Sequence, residues 1–193
     1  MAAALVLILL VACSGGKHQA RRVPPTSTTT APTATTAPPP TTRPGPQPCT
    51  TAGLAIAAGE GGAGLGHWSL PILFRNTSPA KCRLTGYPGV AGLDDTGRQT
   101  AQARRSPNGF SGGLGFENQT PPTVDLAPGE TASALVEGTN VPQDSAPSCP
   151  QYAALLVTPP GETHSVKLAA GENGCSGLEV HPVLPGTSGS VRQ

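Results

Sequence analysis

Five thiols hold most of the reactive chemistry in this sequence: Cys13, Cys49, Cys82, Cys149 and Cys175. No two of them form Cys-x-x-Cys, so structural disulfides are expected rather than a redox couple or a zinc ribbon. Of the three ways to pair the last four, Cys49 with Cys82 and Cys149 with Cys175 is the most local, and each closed loop would contribute about 3.5 to 4 kcal/mol. Three histidines, His67, His164 and His181, could meet in space as a copper or zinc site. None lies two or four residues from another, and Cu(I) would also want Met or a free Cys, whereas the only Met is Met1. They read as surface or strand-end histidines, and no metal is assigned. Asp94 and Asp95 supply too few oxygens for Ca²⁺ and fit a hairpin cap. Gly59-x-Gly61-x-x-Gly64 has the letters of a dinucleotide fingerprint, but a strand follows it, not the helix whose N-terminus would hold a pyrophosphate. No serine stands in Gly-x-Ser-x-Gly, and Ser111-Gly112-Gly113 has no evident His and acid partners. The expectation is therefore a protein that is not an enzyme, with no catalytic residue and no cofactor.

Cys13 has different surroundings. Ala2 to Ala12 is an apolar run of eleven residues, too short to span a bilayer, and it ends in Leu10-Val11-Ala12-Cys13 followed by Ser14 and two glycines. That order resembles a bacterial lipobox, in which an export signal is cut before a cysteine whose thiol carries a diacylglycerol. No Lys or Arg precedes the run, which departs from the usual signal. Lipidation of Cys13 would remove the odd thiol from an oxidising compartment. The expected location is the extracytoplasmic face of a membrane, held by the lipid.

The elements that must position everything else follow from composition. Gly and Pro number 25 and 23, which excludes a helical protein, because one costs backbone entropy and the other lacks an N–H. A net charge of +1, with 12 basic and 11 acidic residues and no basic stripe, gives no case for nucleic acid. Residues 1–12 read as signal and 13–48 as the lipidated cysteine and a linker. From Val23 to Pro48 there are nine Thr, nine Pro and one charge, Arg43. Such a tract has no apolar period and cannot bury a core; as polyproline II it would reach roughly 80 Å, a stalk. Residues 49–184 form the expected domain, and 185–193, rich in Gly and Ser, a frayed tail.

Inside the domain the pattern has period two. From His67 to Asn76, Trp68, Leu70, Ile72 and Phe74 point one way and His67, Ser69, Pro71 and Arg75 the other, with only Leu73 breaking the alternation, and Ala132, Ala134 and Val136 alternate with Thr131, Ser133 and Leu135. Further strands are expected at Leu54 to Ala58, Lys81 to Thr85, Val90 to Asp94, Gln99 to Arg104, Thr123 to Leu126, Tyr152 to Thr158, Thr163 to Leu168 and Leu178 to Val183. Pro-Gly and Asp-Gly turns separate them. Eight or nine short strands suggest an all-β fold, an antiparallel Ig-like β-sandwich stapled by two disulfides. Ser106 to Pro122 is a long loop with four glycines and no period, carrying Phe110 and Phe116; a loop of that kind is mobile or binds.

Ala63-Gly64-Leu65-Gly66-His67, Leu73 to Ser78, Cys82-Arg83-Leu84-Thr85-Gly86-Tyr87-Pro88-Gly89-Val90 and Leu126-Ala127-Pro128-Gly129-Glu130-Thr131-Ala132 occur in order between Cys49 and Cys175. Together they resemble the actinobacterial secreted and lipoprotein family called domain of unknown function 4232. The resemblance implies a secreted β-rich domain with these cysteines, and no catalytic residues. The functional expectation is a tethered, monomeric binding module for an envelope protein or glycan, with Phe110 and Phe116 as its loop contacts; a metal-binding lipoprotein or an unrecognised envelope enzyme is the alternative.

Overall fold

Ten residues whose even positions from Trp68 to Asn76 are all buried make the longest strand, because period two lays one row of side chains against the core. The structure, a computed structural model, describes residues 45–142, 148–175 and 177–191. Cys13 and the stalk up to residue 44 lie outside the described residues. The strands are β1 (Gln47–Pro48), β2 (Leu54–Ala58), β3 (Gly62–Gly64), β4 (His67–Asn76), β5 (Cys82–Thr85), β6 (Gly89–Leu93) and β7 (Gln99–Gln102). They continue as β8 (Arg104–Arg105), β9 (Thr123–Leu126), β10 (Thr131–Thr139), β11 (Gln151–Thr158), β12 (Val166–Asn173), β13 (Glu179–Val180) and β14 (Leu184–Pro185). No helix among the described residues is long and apolar enough to cross a membrane.

The strands form an all-β sandwich. One sheet runs β2-β4-β10-β13-β8, with β3 on β4 and β14 on β10; a second runs β12-β11-β6-β7; a third, β1-β5-β9, completes the enclosure. The core between them takes Trp68, Leu70, Ile72 and Phe74 from β4, Ala132, Ala134 and Val136 from β10, Leu155 and Val157 from β11, and Leu84 from β5. Both disulfides are present in the local pairing, Cys49 with Cys82 and Cys149 with Cys175, with Cα atoms 4.8 and 4.6 Å apart. The Trp68 indole N–H donates to the Asn173 carbonyl at 2.8 Å, tying the first sheet to the second. Its ring lies so close over Gly138 that a Cβ there would meet Trp68 Cε2 at 2.8 Å.

Several expected strands change. Gln99 to Arg104 divides at buried Ala103, because β7 pairs with β6 while β8 crosses to the other sheet and pairs with β13. Leu178 to Val183 shrinks to Glu179–Val180, and Thr163 to Leu168 shifts to Val166–Asn173. Strands β1, β3 and β14 are two or three residues long, too short for a period-two signal. Two pairings, β1 with β5 and β8 with β13, are parallel, so the sandwich is not wholly antiparallel. Pro71 has no N–H for a ladder, and it stands in β4 in the gap between the β2 pairing, which reaches Ile72, and the β3 pairing, which reaches Ser69.

Two boundaries also move. The stalk's last residues, Gln47 and Pro48, are already strand, and the Cys49 N–H donates to the Arg83 carbonyl. The tail is docked, not frayed, as far as it is described: the Gly189 N–H donates to buried Ser133 Oγ at 2.8 Å and the Val191 N–H to the Gly113 carbonyl at 3.0 Å. Backbone donors satisfied in this way hold a polar segment that has little else to bury.

Asn76, fully buried at the end of β4, organises the next turn. Its Nδ2 donates to the Ala80 and Leu126 carbonyls, and its Oδ1 accepts the Ser78 N–H and hydroxyl. This burial makes the Asn76-Thr77-Ser78 sequon inaccessible to a glycosyltransferase in the folded protein. Asn76→Ala should cost about 3 kcal/mol, since it orphans the buried Leu126 carbonyl and the Ser78 N–H. The check is a lower urea midpoint at unchanged slope; an unmoved midpoint would refute the assignment.

Candidate functional site

Strand β10 alternates Ala132, Ala134 and Val136 toward the core with Ser133, Leu135 and Glu137 on the outer face. That outer row would face water in a half-buried strand, yet Ser133 is 0%, Leu135 4% and Glu137 5% exposed. The segment from Ser106 to Gly115 and the docked tail cover it. The expected long loop is thus neither free nor shapeless along that stretch. Leu114 is buried beneath it, the Leu114 N–H donates to the Pro107 carbonyl, and the Gly109 N–H donates to the Gly112 carbonyl.

Glu137 holds the loop down. Its Oε1 accepts the Phe110 N–H and its Oε2 the Ser111 N–H, both at 2.7 Å. His181, fully buried, approaches Glu137 Oε1 with Nε2 at 3.4 Å, while its Nδ1 lies 2.9 Å from the Ser106 carbonyl oxygen. A carbonyl can only accept, so Nδ1 carries a hydrogen and donates it to Ser106, while Nε2 is buried without a hydrogen-bond partner among the described residues. Residue 109 must be glycine, because a Cβ built there would collide with the Glu137 carboxylate. Burial by itself would push the Glu137 carboxyl up; the His181 contact and the two loop N–H groups outweigh it and bring the pKa down to about 2.

Register places more polar groups beside this clamp. Ser69 on β4, Glu137 on β10, Glu179 on β13 and Arg104 on β8 are successive cross-strand partners on one row. The Arg104 guanidinium pairs with the Glu179 carboxylate. His67 stands opposite Thr139 on the next row. Its ring stacks on Phe110, with centroids 4.0 Å apart and an interplanar angle of 12°. Phe110 remains 52% and Phe116 71% exposed, so neither ring folds back under the loop to cover the sandwich. At the same end Leu65 is 90% exposed in the left-handed region, φ 51°, on the turn between β3 and β4. Val141, 50% exposed, touches that turn near Gly66. A branched residue held at positive φ and projecting into water costs energy, and such positions gather at binding surfaces.

The remaining candidates separate. The three histidines do not converge: His67 is under Phe110, His181 is under the loop, and His164 is exposed with its carbonyl accepting the Thr51 hydroxyl. His181 is therefore a core residue, not a surface one: it is fully buried, with Nδ1 on the Ser106 carbonyl. No group of three or more His, Cys, Asp or Glu side chains able to hold a metal is found among the described residues. Asp94 Oδ1 accepts the Thr96 and Arg98 N–H groups and caps the β6–β7 hairpin. Its carboxyl is held below the usual range by the Thr96 hydroxyl first, with Arg98 adding to the effect. Gly59, Gly61 and Gly64 lie in the connection from β2 through β3. Ser111 gives its N–H to Glu137.

Residues 49–184 match the family described as Domain of unknown function (DUF4232). The chain belongs to that family. No curated protein and no solved structure matches it. In this DUF4232 domain two of the motifs that carried the resemblance are scaffold, while Ala63 to His67 brings Leu65 and His67 to the Phe110 face: Cys82 to Thr85 is β5, and Leu126 to Ala132 holds the turn from β9 into β10, closed by the Glu130 N–H on the Ala127 carbonyl. The clamp residues Glu137 and His181, and the pair Arg104 and Glu179, lie outside those motifs. Sequence reasoning missed them because strand register, a nonlocal property, brings them together. One signal was available: Glu137 is an acid continuing the outward row of an otherwise apolar strand.

Proposed function

We propose that this DUF4232 protein is a lipid-anchored envelope protein that works by binding, and that its recognition surface is the face around Phe110 and Phe116. The observation that carries the reading is the Glu137 clamp. A buried carboxylate, two loop N–H groups and a buried histidine fix a loop whose next side chain, Phe110, is left half exposed on His67. A soluble domain that only needed its sheet covered would turn such rings inward. Loops set on a rigid β scaffold are where binding groups concentrate. The anchor at Cys13 and the Thr/Pro-rich stalk would carry this face out into the envelope, as a monomer.

Envelope extract passed over wild-type domain and over the Phe110→Ala, Phe116→Ala double variant tests the surface. One component retained by the wild type and at least tenfold depleted on the variant is the expected result; equal retention refutes it. The anchor has its own check. Cells fed an alkyne-tagged palmitate analogue should label the wild type, whereas Cys13→Ala should be unlabelled and pass into the medium. Equal partition of the two forms would disprove the anchor.

A further inference from the structure

A cleft of about 280 Å³ opens beside the Phe110 ring, between the loop and the outer row of the sheet. That volume is near the lower end for small-ligand sites, about 300 Å³. Its lining includes His67, Phe110, Arg104, Glu179, Glu137 and Asn108. Four features decide what it can hold. Phe110 has one face on His67, so its 52% exposure comes from the opposite face and edge, an apolar plane available for stacking. Arg104 and Glu179 stand side by side as a paired donor and acceptor, with Arg104 two-thirds exposed. Asn108 Nδ2 has no hydrogen-bond partner among the described residues, which leaves an amide donor in need of an acceptor. Finally, the charged groups are already engaged: Arg104 with Glu179, and the Glu137 carboxylate with the Phe110 and Ser111 N–H groups.

An anion would meet two carboxylates, and a cation would meet Arg104. An apolar ligand would strand the ion pair and the amide without solvent. A ring with one C–H face and a rim of hydroxyls matches the accessible groups: the C–H face on Phe110, and hydroxyls that both donate and accept at Glu179 and Arg104. We propose that this cleft binds an uncharged pyranose unit of a glycan. The inference rests on the binding reading above and names its ligand class.

The test is an NMR titration of the isotope-labelled domain with the methyl pyranosides of glucose, galactose, mannose and N-acetylglucosamine, and with inorganic phosphate for comparison. At least one pyranoside should give saturable shifts at the Phe110 ring and the Arg104 Nε–H, and phosphate should give none. Phe110→Ala should weaken that binding at least tenfold, and Phe110→Trp, which keeps the stacking plane, should restore it. Arg104→Gln should weaken it without disturbing the fold, because Arg104 is exposed. Saturable shifts from phosphate alone, or none from any of the four glycosides, would overturn the proposal. Envelope extract separates this failure from failure of the binding reading. Periodate, which cleaves sugar diols, should abolish capture that depends on Phe110 and Phe116. If capture survives periodate and is lost to protease, the ligand is a protein and the pyranose assignment falls while the binding face stands. If the wild type and the double variant capture alike, both fall.

Discussion

Glu137→Ala should lower the unfolding free energy by about 3 to 5 kcal/mol and free the loop from Ser106 to Gly115. Removing the carboxylate orphans the Phe110 and Ser111 N–H groups beneath the loop, at about 1 to 3 kcal/mol each. The loss should show twice: as a lower denaturant midpoint, and as fast hydrogen exchange at Phe110 and Ser111 where the wild type is protected. The same carboxylate sets an acid limb. Its folded pKa of about 2 lies below the ordinary 4.5. A depressed pKa contributes stability that is fully present above the unfolded value and is lost as pH falls toward the folded one. The wild type should therefore lose about 3 kcal/mol between pH 4.5 and 2 through this group, at 1.36 kcal/mol per unit. Glu137→Gln keeps the shape and should flatten that limb. A Glu137→Ala domain as stable and as protected as the wild type would refute the clamp.

Replacing both Cys49 and Cys82 with Ser should cost about 3 to 4 kcal/mol, the closure entropy of the loop they form. Both cysteines are buried, at 2% and 8% exposure, and their bond fixes the start of the domain to β5. Six aromatic residues and many small ones make the apolar core thin for its size, so the loss is a large share of a marginal total. Urea titration of the double variant measures it. An unchanged midpoint would mean that the β1 and β5 pairing, not the covalent bond, carries this corner. Protease sensitivity should then remain near Gln47 at wild-type level as well.

The long strands were legible because their information is local. From His67 to Asn76 the alternation names both the element and its buried face, Tyr152 to Thr158 follows from a nearly continuous apolar run, and Thr123 to Leu126 from a short alternating segment ended by the Pro128-Gly129 turn. The local disulfide pairing was legible for the same reason. The site was legible only in part. Phe110 and Phe116 drew notice as large apolar residues in a Gly-rich loop, but nothing near them in sequence told that Glu137, 27 positions away, would hold the loop by its N–H groups. His181 looked like a strand-end histidine because its partners, Ser106 and Glu137, come from elements distant in the chain. The tail looked frayed by composition, yet Ser133 and Gly113 supply acceptors that composition cannot reveal. Hydrogen bonds between segments distant in the chain decide all three cases.

The central claim is that the clamped loop is a recognition face, and a photo-crosslinker in place of Phe110 tests it most directly. Benzophenone inserts into C–H bonds of protein and glycan alike, so the probe does not prejudge the partner. Full-length protein carrying benzoyl-phenylalanine at position 110 would be irradiated on living cells, beside a control with the probe at Lys167, an exposed position on β12. The account predicts a discrete adduct from position 110, none from position 167, and loss of the adduct when Glu137→Ala is added. No adduct at 110, or the same adduct from both positions, would contradict it.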